Sequence, residues 1–500
     1  MASERPWAGR RLHFVGIGGA GMSGLALVAH GLGASVTGSD RAADSAYFGP
    51  LRAAGITPAV GHDAAHVPAG AEVVYSSAIP PDNPERRPPE LHRADLLGEL
   101  TRLKPTLAVT GTHGKTTTAS MLVHALRGAG LDPSYLVGGE VRSTGANAGW
   151  GAGEWLVVEA DESDRSLLKL SPRIAVLTNA ELDHHATYAS ARDVEATFAA
   201  FLALASRAVV WDRPALVALA GSTPVTPFDV PSPQLSAGGS RFLVDGVEVT
   251  LRVPGAHNAR NAAAALTAAR LAGADLGAAA RALAGFTGAG RRFERLGSTP
   301  AGALVVDDYA HHPTEVRATI AAARTLAPRR VVAAFQPHLF SRTAREARAF
   351  GAALALADLV VVLDVYPARE RAEDFPGVTG LLVAEAAADA AGGRRVAWLP
   401  AIDAAAGFLA RELRDGDLLL TLGAGDVDRL GRALAGGAPA TVADEGGRSG
   451  RALVGGAPAT VADQGSRSGR ALVGGAGGGG DQSGRAPGAG HPAGGVEPGS

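Results

Sequence analysis

The run TLAVTGTHGKTTT, residues 106–118, carries the most explicit chemistry in the chain. Leu107-Ala108-Val109 reads as a short buried strand and Gly111-Thr112-His113-Gly114 as a glycine turn. Lys115-Thr116-Thr117-Thr118 then leads into a helical pattern that starts at Ala119. Strand, glycine turn, Lys-Thr and helix is the layout of a phosphate-binding loop. Backbone N–H groups face phosphate oxygens, the lysine neutralises charge, and the first hydroxyl after it can hold Mg²⁺. The loop is short: Val109 stands where the usual spacing has its first glycine, and Gly111 lies three residues before Gly114.

A second glycine turn precedes it. Gly16-Ile17-Gly18-Gly19-Ala20-Gly21-Met22-Ser23 matches G-x-G-x-x-G between a strand at 12–15 and a helix from Gly24, and Asp40 follows 19 residues after Gly21. That pattern places a diphosphate on a helix N-terminus and a carboxylate near a sugar or base. It specifies a nucleotide diphosphate better than it specifies NAD. Ser76 and Ser77 end a strand at 72–75 and so fall on the ligand edge of a parallel sheet.

Carboxylates and cations complete the set. Glu159 ends a strand at 154–158, after the phosphate loop, where a Mg²⁺-ATP site needs an acid. His184 follows the strand at 173–178 and could ligate a second Mg²⁺, although a single histidine is more often structural. Arg291 and Arg292, in a glycine turn, are the side chains expected to stabilise a transferring phosphoryl group.

The elements that must position these groups are short apolar strands alternating with helical patterns. The expected fold is α/β with three domains: a Rossmann-like domain at 1–103, a central P-loop ATPase domain at 104–296 and a second Rossmann-like domain at 297–435. A helix is expected around 91–103. Strands at 303–306, 331–335, 358–363 and 417–422 each deliver polar residues to one edge, and Thr314 can cap the helix that follows the first of them. Residues 436–500 are expected to form a disordered tail. The segment 431–449 recurs at 450–468 with a period of 19 residues, and its Gly, Ala, Pro and Ser bury too little surface to offset ordering entropy.

Composition narrows the function classes. Among 500 residues there are 67 glycines and no cysteine, so disulfides, thiolate metal sites and cysteine nucleophiles are excluded. A formal net charge of −2 gives no electrostatic footprint for nucleic acid or a membrane surface. With no signal-type segment and no apolar run of about 18 residues or more, the expectation is a cytoplasmic protein without membrane insertion.

Taken together, the motifs resemble the Mur ligases, the ATP-dependent amide-bond ligases of peptidoglycan precursor synthesis. The likeness covers roughly residues 10–433. It rests on GIGGAGMSGLA at 16–26, GTHGKTTT at 111–118, VEADESD at 158–164, DDYAHHPTEV at 307–316 and FQPHLFSRT at 335–343. The first motif and His113 point to the alanine-adding branch of the family.

The resemblance implies that ATP, L-alanine and UDP-N-acetylmuramate are the substrates and that an acyl phosphate is the intermediate. It implies UDP-sugar contacts at Gly18, Gly19, Ala20, Gly21, Met22, Ser23, Asp40, Ser76 and Ser77. ATP contacts are implied at Gly111 to Thr117, His257, Asn258, Asn261, Arg291 or Arg292, and Asp308. Mg²⁺ is implied on Thr116 and Glu159, with a second ion near His184. Lys115, Glu159, His184, His311 and Arg342 are the implied catalytic set, and Tyr309, His311 and Arg342 face the amino acid. Some family members have arginine where Leu339 stands, which shifts the alanine carboxylate towards Arg342 or other donors. The alternatives are a related ligase that attaches a peptide to the same sugar nucleotide, and a Rossmann oxidoreductase, which leaves Lys115 unexplained.

Overall fold

Short runs of Val, Leu, Ile and Ala build three parallel-rich sheets in a computed structural model that describes residues 5–45, 47–436, 451–455 and 473–474. The first sheet contains β1 (Arg11–Val15), β2 (Ser35–Asp40), β3 (Ala59–Val60), β4 (Glu72–Tyr75) and β5 (Glu90–His92), in the order β3-β2-β1-β4-β5 with every pairing parallel. This is a doubly wound order, and the glycine turn after β1 lies at its centre.

The second sheet contains β6 (Thr106–Thr110), β7 (Ser134–Val141), β8 (Ala146–Gly149), β9 (Leu156–Glu159), β10 (Ile174–Leu177), β11 (Arg207–Trp211) and β12 (Val225–Phe228), ordered β12-β11-β10-β6-β9-β7-β8. β6 is buried along its whole length and pairs in parallel with both β9 and β10. Its side chains alternate between two cores: Leu107 and Val109 join one, Ala108 the other. The loops after β6, β9 and β10 therefore emerge side by side at one edge. A meander of β13 (Gln234–Ser236), β14 (Gly239–Val244) and β15 (Val247–Leu251) closes one core.

The third sheet contains β16 (Glu294–Ser298), β17 (Leu304–Asp308), β18 (Arg330–Phe335), β19 (Leu359–Val362), β20 (Arg395–Trp398), β21 (Asp417–Leu422), β22 (Arg451–Gly455) and β23 (Val473–Gly474), ordered β16-β17-β21-β18-β19-β20-β22-β23. β17, β21, β18, β19 and β20 are mutually parallel, and β16 and β22 pair antiparallel at either side. Most of the segment expected to be a disordered tail lies outside the described residues. β22 and β23 come from equivalent points of its 19-residue repeat.

With few aromatics, packing relies on small side chains. The Ala256–Leu271 helix turns a row of buried alanines, Ala259, Ala262, Ala263 and Ala265, into the core beside the Lys115–Gly128 helix. Gly24 does the same for the first two sheets: a Cβ there would meet Ala148 Cβ at 3.2 Å. Asn147 then ties the glycine turn down, donating to Ala20 O at 2.6 Å and Ser23 Oγ at 3.2 Å.

Three local expectations are corrected. The helix expected around 91–103 is shorter, Arg93–Leu100, because Glu90 to His92 pair with β4 instead. The helix after the phosphate loop starts at Lys115, not Ala119, since Gly114 at φ 81° already turns the chain into it. His312, not Thr314, caps the Pro313–Arg324 helix by accepting the Thr314 N–H, which leaves the Thr314 hydroxyl to reach Glu181 Oε2 at 2.7 Å.

Candidate active site

The phosphate loop needs both of its glycines. Gly111 has φ 130° and a Cβ there would strike Thr178 Oγ1; Gly114 lies against Asn261. Around them the loop is laced to the strand-end loop after β10. The His113 N–H donates to Asn179 Oδ1 at 2.9 Å, and the Thr112 hydroxyl exchanges bonds with the Glu181 backbone at 2.9 Å each. Lys115 Nζ donates to Gly111 O at 2.8 Å, Thr112 O at 3.2 Å and Glu162 Oε1 at 2.9 Å. Burial works against its charge, but Glu162, with Asp161 and Glu159 behind it, raises its pKa and keeps it an ammonium.

Two oxygen-rich positions flank this lysine. Thr116 Oγ1 donates to Glu159 Oε1 at 3.0 Å, and Glu159 Oε2 accepts the Gly138 N–H at 2.7 Å. Burial raises the Glu159 pKa despite Lys115 and those two donors, so its anionic form is under-compensated and a bound cation would stabilise it. A hydroxyl and a carboxylate are the donors a hard divalent ion prefers, so the pair fits Mg²⁺. His184, held at φ 52°, sets Nε2 3.2 Å from Glu162 Oε1, which makes that carboxylate common to Lys115 and His184. Glu162 is not among the residues singled out from the sequence, although it sits within VEADESD.

The third sheet closes over the loop. His113 lies between two carboxylates, with Nε2 3.3 Å from Glu181 Oε2 and Nδ1 3.4 Å from Glu315 Oε1 of the Pro313–Arg324 helix. Burial disfavours the imidazolium, but Glu181 and Glu315 outweigh it and raise the pKa to about 9. His113, Glu181 and His312 offer ligand atoms within 4.8 Å of one another. His312 Nδ1 accepts the Thr314 N–H, and the protonated His113 ring pairs with Glu181 and Glu315, so the cluster is an ion-pair latch between the second and third sheets.

Arg342, expected to face the amino acid, is directed at Asp183. Its Nε and Nη2 donate to Asp183 Oδ1 at 3.2 and 2.7 Å, and Nη1 faces His338 Nδ1 at 3.3 Å. Burial would raise the Asp183 pKa, yet Arg342, His184 and His311 hold it well below the usual range. Of the paired arginines, Arg292 lines both cavities of the site, whereas Arg291 lines neither. Arg291 is tied to Asp307 Oδ2 at 3.0 Å and to the carbonyls of Gly423 and Gly425. Tyr309 lies beneath both guanidinia, each 5.1 Å from its ring.

The two cavities meet at Gly114, Arg292 and Glu315. One, of about 280 Å³, is lined by Thr117, Trp211, Phe228, His257, Asn258, Asn261 and Asp308, among others. It combines an apolar slot with neutral polar groups: burial and Arg260 push His257 down to about 4. Burial pushes Asp308 up to about 6 against Arg292 and the N–H groups of Phe293 and Ala310. The other cavity, about 360 Å³, runs from Gly21 and Arg93 past Lys115, Thr116, Glu159 and His184 to Tyr309, His311, His338, Leu339, Arg342 and Arg369. His311 and His338 are pushed down by burial to about 3 and about 4, so both rings are neutral at pH 7.

At the first sheet only part of the expected set faces this cleft. Gly21 lines it, while Met22 and Ser23 turn their side chains into packing and leave only backbone groups for a ligand. Asp40 Oδ2 accepts the Gly18 N–H at 2.8 Å, so it shapes the turn between Gly18 and Ala20. Ser76 and Ser77 line neither cavity. Behind Asp40 lies a buried hub. Glu85 accepts from Ser39 Oγ and the Asp63 N–H and faces His62 Nδ1 and His66 Nδ1 at 3.0 Å each.

Comparison with known proteins agrees with this layout. Three family models match in chain order: Mur ligase family, catalytic domain, over residues 11–104; Mur ligase middle domain over 109–269; and Mur ligase, glutamate ligase domain, over 291–425. The chain is 48% identical over 454 residues to the UDP-N-acetylmuramate–L-alanine ligase of Kineococcus radiotolerans. It is 45% identical over 464 residues to that of Mycolicibacterium smegmatis, and each comparison covers 84% of this chain and 94% of the relative. The crystal structure of UDP-N-acetylmuramate-alanine ligase from Thermotoga maritima gives a TM-score of 0.73 at 28% identity, covering 85% of this chain and 98% of that one. A murein peptide ligase from Psychrobacter arcticus shares the fold, with a TM-score of 0.66 at 24% identity over 87% of this chain and 100% of that one. A phosphate loop between two nucleotide-type sheets, matched throughout by these models and relatives, makes the chain a member of the Mur ligase family.

Proposed function

We propose that the chain joins L-alanine to the lactyl carboxylate of UDP-N-acetylmuramate at the expense of ATP, yielding the alanyl sugar nucleotide of peptidoglycan synthesis, ADP and phosphate. The observation that carries this is the pair of cavities meeting at Gly114 and Arg292, with Lys115 beside their junction. One suits a base and ribose; the other joins the first-sheet glycine turn to a cation-lined end in the third sheet.

In this reading the sugar carboxylate attacks the γ-phosphate, ADP leaves, and the alanine amine displaces phosphate from the resulting acyl phosphate. Two anions must approach each other, so the site must supply positive charge. Lys115 and Arg292, which line the same cavity, provide it. Thr116 and Glu159 would hold Mg²⁺, with His184 and Glu162 at a second position, and the ion would screen and polarise the phosphate oxygens. His257, Asn258 and Asn261 would receive the adenine end, where a neutral imidazole can exchange hydrogen bonds without a charge penalty. Neutral His311, whose Nδ1–H donates to Tyr309 O, leaves Nε2 to accept a hydrogen bond from an incoming amine, which an imidazolium would repel; the His338 acceptor, Nδ1, is already taken by Arg342. Asp308 meets the nucleotide from the third sheet. Holding three substrates together contributes on the order of 7–11 kcal/mol to the barrier reduction.

Such a reaction uses cytoplasmic ATP, and no helix among the described residues is long and apolar enough to cross a membrane. The test is phosphate release by the purified protein with ATP, Mg²⁺ and UDP-N-acetylmuramate, with and without L-alanine. Release that requires both the sugar nucleotide and alanine is expected. Release driven by L-alanyl-γ-D-glutamyl-diaminopimelate but not by alanine would overturn the reading.

A further inference from the structure

The end of the cleft formed by the third sheet has one cation too few for its expected task. The amino acid brings a carboxylate that must be anchored while its amine is left free to react. Leu339 stands where some members of the family have arginine, and Arg342, expected to face the amino acid, is committed to buried Asp183.

Every other cation lining the cleft is also committed. Arg93 lies 3.0 Å from Asp164, Lys115 2.9 Å from Glu162, and Arg292 3.8 Å from Glu315. Arg369 is different. It lines the same cleft, it is exposed, and among the described residues its guanidinium makes no hydrogen bond or ion pair.

Its position is built, not incidental. The Leu339 N–H donates to Tyr366 O at 3.0 Å, and the Tyr366 N–H donates to Pro337 O at 2.8 Å. The His338 ring stacks on Tyr366 at 5.9 Å. On the other side of Arg369, the Glu370 carboxylate accepts the Ser341 N–H at 3.0 Å and the Ser341 hydroxyl. The segments 337–341 and 366–370 are thereby joined on both sides of Arg369. A guanidinium carried by residue 369 and one carried by residue 339 start from the same rim of the cleft. Leu339 itself, at φ 70°, offers only an apolar wall there.

We propose that Arg369 is the carboxylate anchor for the incoming amino acid, presented from the loop after β19 at the rim that Leu339 leaves apolar. This rests on the ligase reading above and names the group that recognises its third substrate. An unpaired guanidinium is suited to it, because binding the carboxylate then breaks no ion pair within the protein.

The test uses the full chain and steady-state phosphate release, with wild-type activity on L-alanine as the check of the parent reading. Arg369→Ala is expected to raise the KM for L-alanine on the order of tenfold to hundredfold, the loss of one charge-assisted bidentate bond. The KM values for ATP and UDP-N-acetylmuramate stay unchanged, as does the thermal midpoint. L-Alaninamide, which lacks the carboxylate, is expected to be the poorer substrate for wild type but to match alanine in Arg369→Ala. Adding Leu339→Arg to Arg369→Ala is expected to restore much of the alanine KM. An alanine KM that does not move in Arg369→Ala, in a protein whose wild type does use alanine, overturns the proposal and leaves the ligase reading standing. Equal loss for alanine and alaninamide overturns it too, because the lost contact would then not be to the carboxylate.

Discussion

Arg342 Nη2 lies 2.7 Å from Asp183 Oδ1, with side chains only 5% and 4% exposed, and this pair joins the Phe340–Leu354 helix of the third sheet to the loop after β10 in the second. Each charge has been taken from water for the other. Removing one strands its partner, a loss of about 3–5 kcal/mol for a buried pair. Arg342→Ala and Asp183→Asn should therefore each weaken closure of the third sheet over the phosphate loop. Both variants should lose most kcat/KM, with KM rising for ATP as well as for alanine. A rise confined to the alanine KM in Arg342→Ala would instead restore the amino-acid role expected for that arginine.

His113 links the same two parts through a proton. Its pKa rises from 6.5 to about 9, so its contribution to closure is complete below 6.5 and is lost as pH rises through about 9. Glu181 is lowered from 4.5 to about 2, first by its bond to His113, so its share is present above 4.5 and is lost as pH falls towards 2. The KM for ATP should climb between pH 6.5 and 9 in the wild type and be nearly flat there in His113→Asn. Identical pH profiles for the two proteins would show that the latch does not control closure.

The Thr116–Glu159 pair predicts how the enzyme depends on Mg²⁺. Glu159→Gln keeps the size of the side chain and removes the charge, and should raise the Mg²⁺ concentration for half-maximal activity at least about tenfold. Gly138→Ala should act in the same direction, because its Cβ would sit 2.7 Å from Glu159 Oε2 and displace that oxygen. Unchanged Mg²⁺ dependence in both variants would remove Glu159 from the metal site.

Glu85 makes a separate prediction for the first sheet. Its buried carboxylate gathers Ser39, His62, His66 and the Asp63 N–H, and those donors lower its pKa although burial would raise it. A group lowered in this way stabilises the fold above its ordinary 4.5 and loses that effect as pH falls. Glu85→Leu should lower the thermal midpoint by a shift equivalent to about 1–3 kcal/mol at pH 7 and by less at pH 4. Because Ser39 adjoins Asp40, the KM for the sugar nucleotide should rise as well. A variant as stable as wild type at both values of pH would assign the hub no structural weight.

The strand-end loops were legible because parallel strands announce themselves as apolar runs followed by polar residues. Residues 107–110, 156–159 and 304–308 all read that way, and the sheets set them where that reading expects. What stayed hidden was partner choice. Nothing local in FQPHLFSRT indicates that Arg342 meets Asp183, 159 positions away, or that Glu162 and not Glu159 takes Lys115. Arg369 is an undistinguished surface arginine in the sequence. It becomes notable only when the other cations of the cleft are seen to have carboxylates beside them. The β14–β15 hairpin went unread for a different reason: its alternation is plain at Phe242, Val244, Val249 and Leu251, but it carries no chemistry.

The ion pair between Lys115 and Glu162 bears on the speed of the cycle more than on its affinity. An ammonium that already faces a carboxylate exchanges one anion for another when a phosphate arrives, so the net electrostatic gain on binding is small. The same exchange runs in reverse when phosphate or ADP departs, with Glu162 available to reclaim the lysine. In the absence of Mg²⁺, Glu162→Gln should thus bind ADP more tightly than the wild type and release it more slowly, turning a fast-exchanging loop into a retentive one.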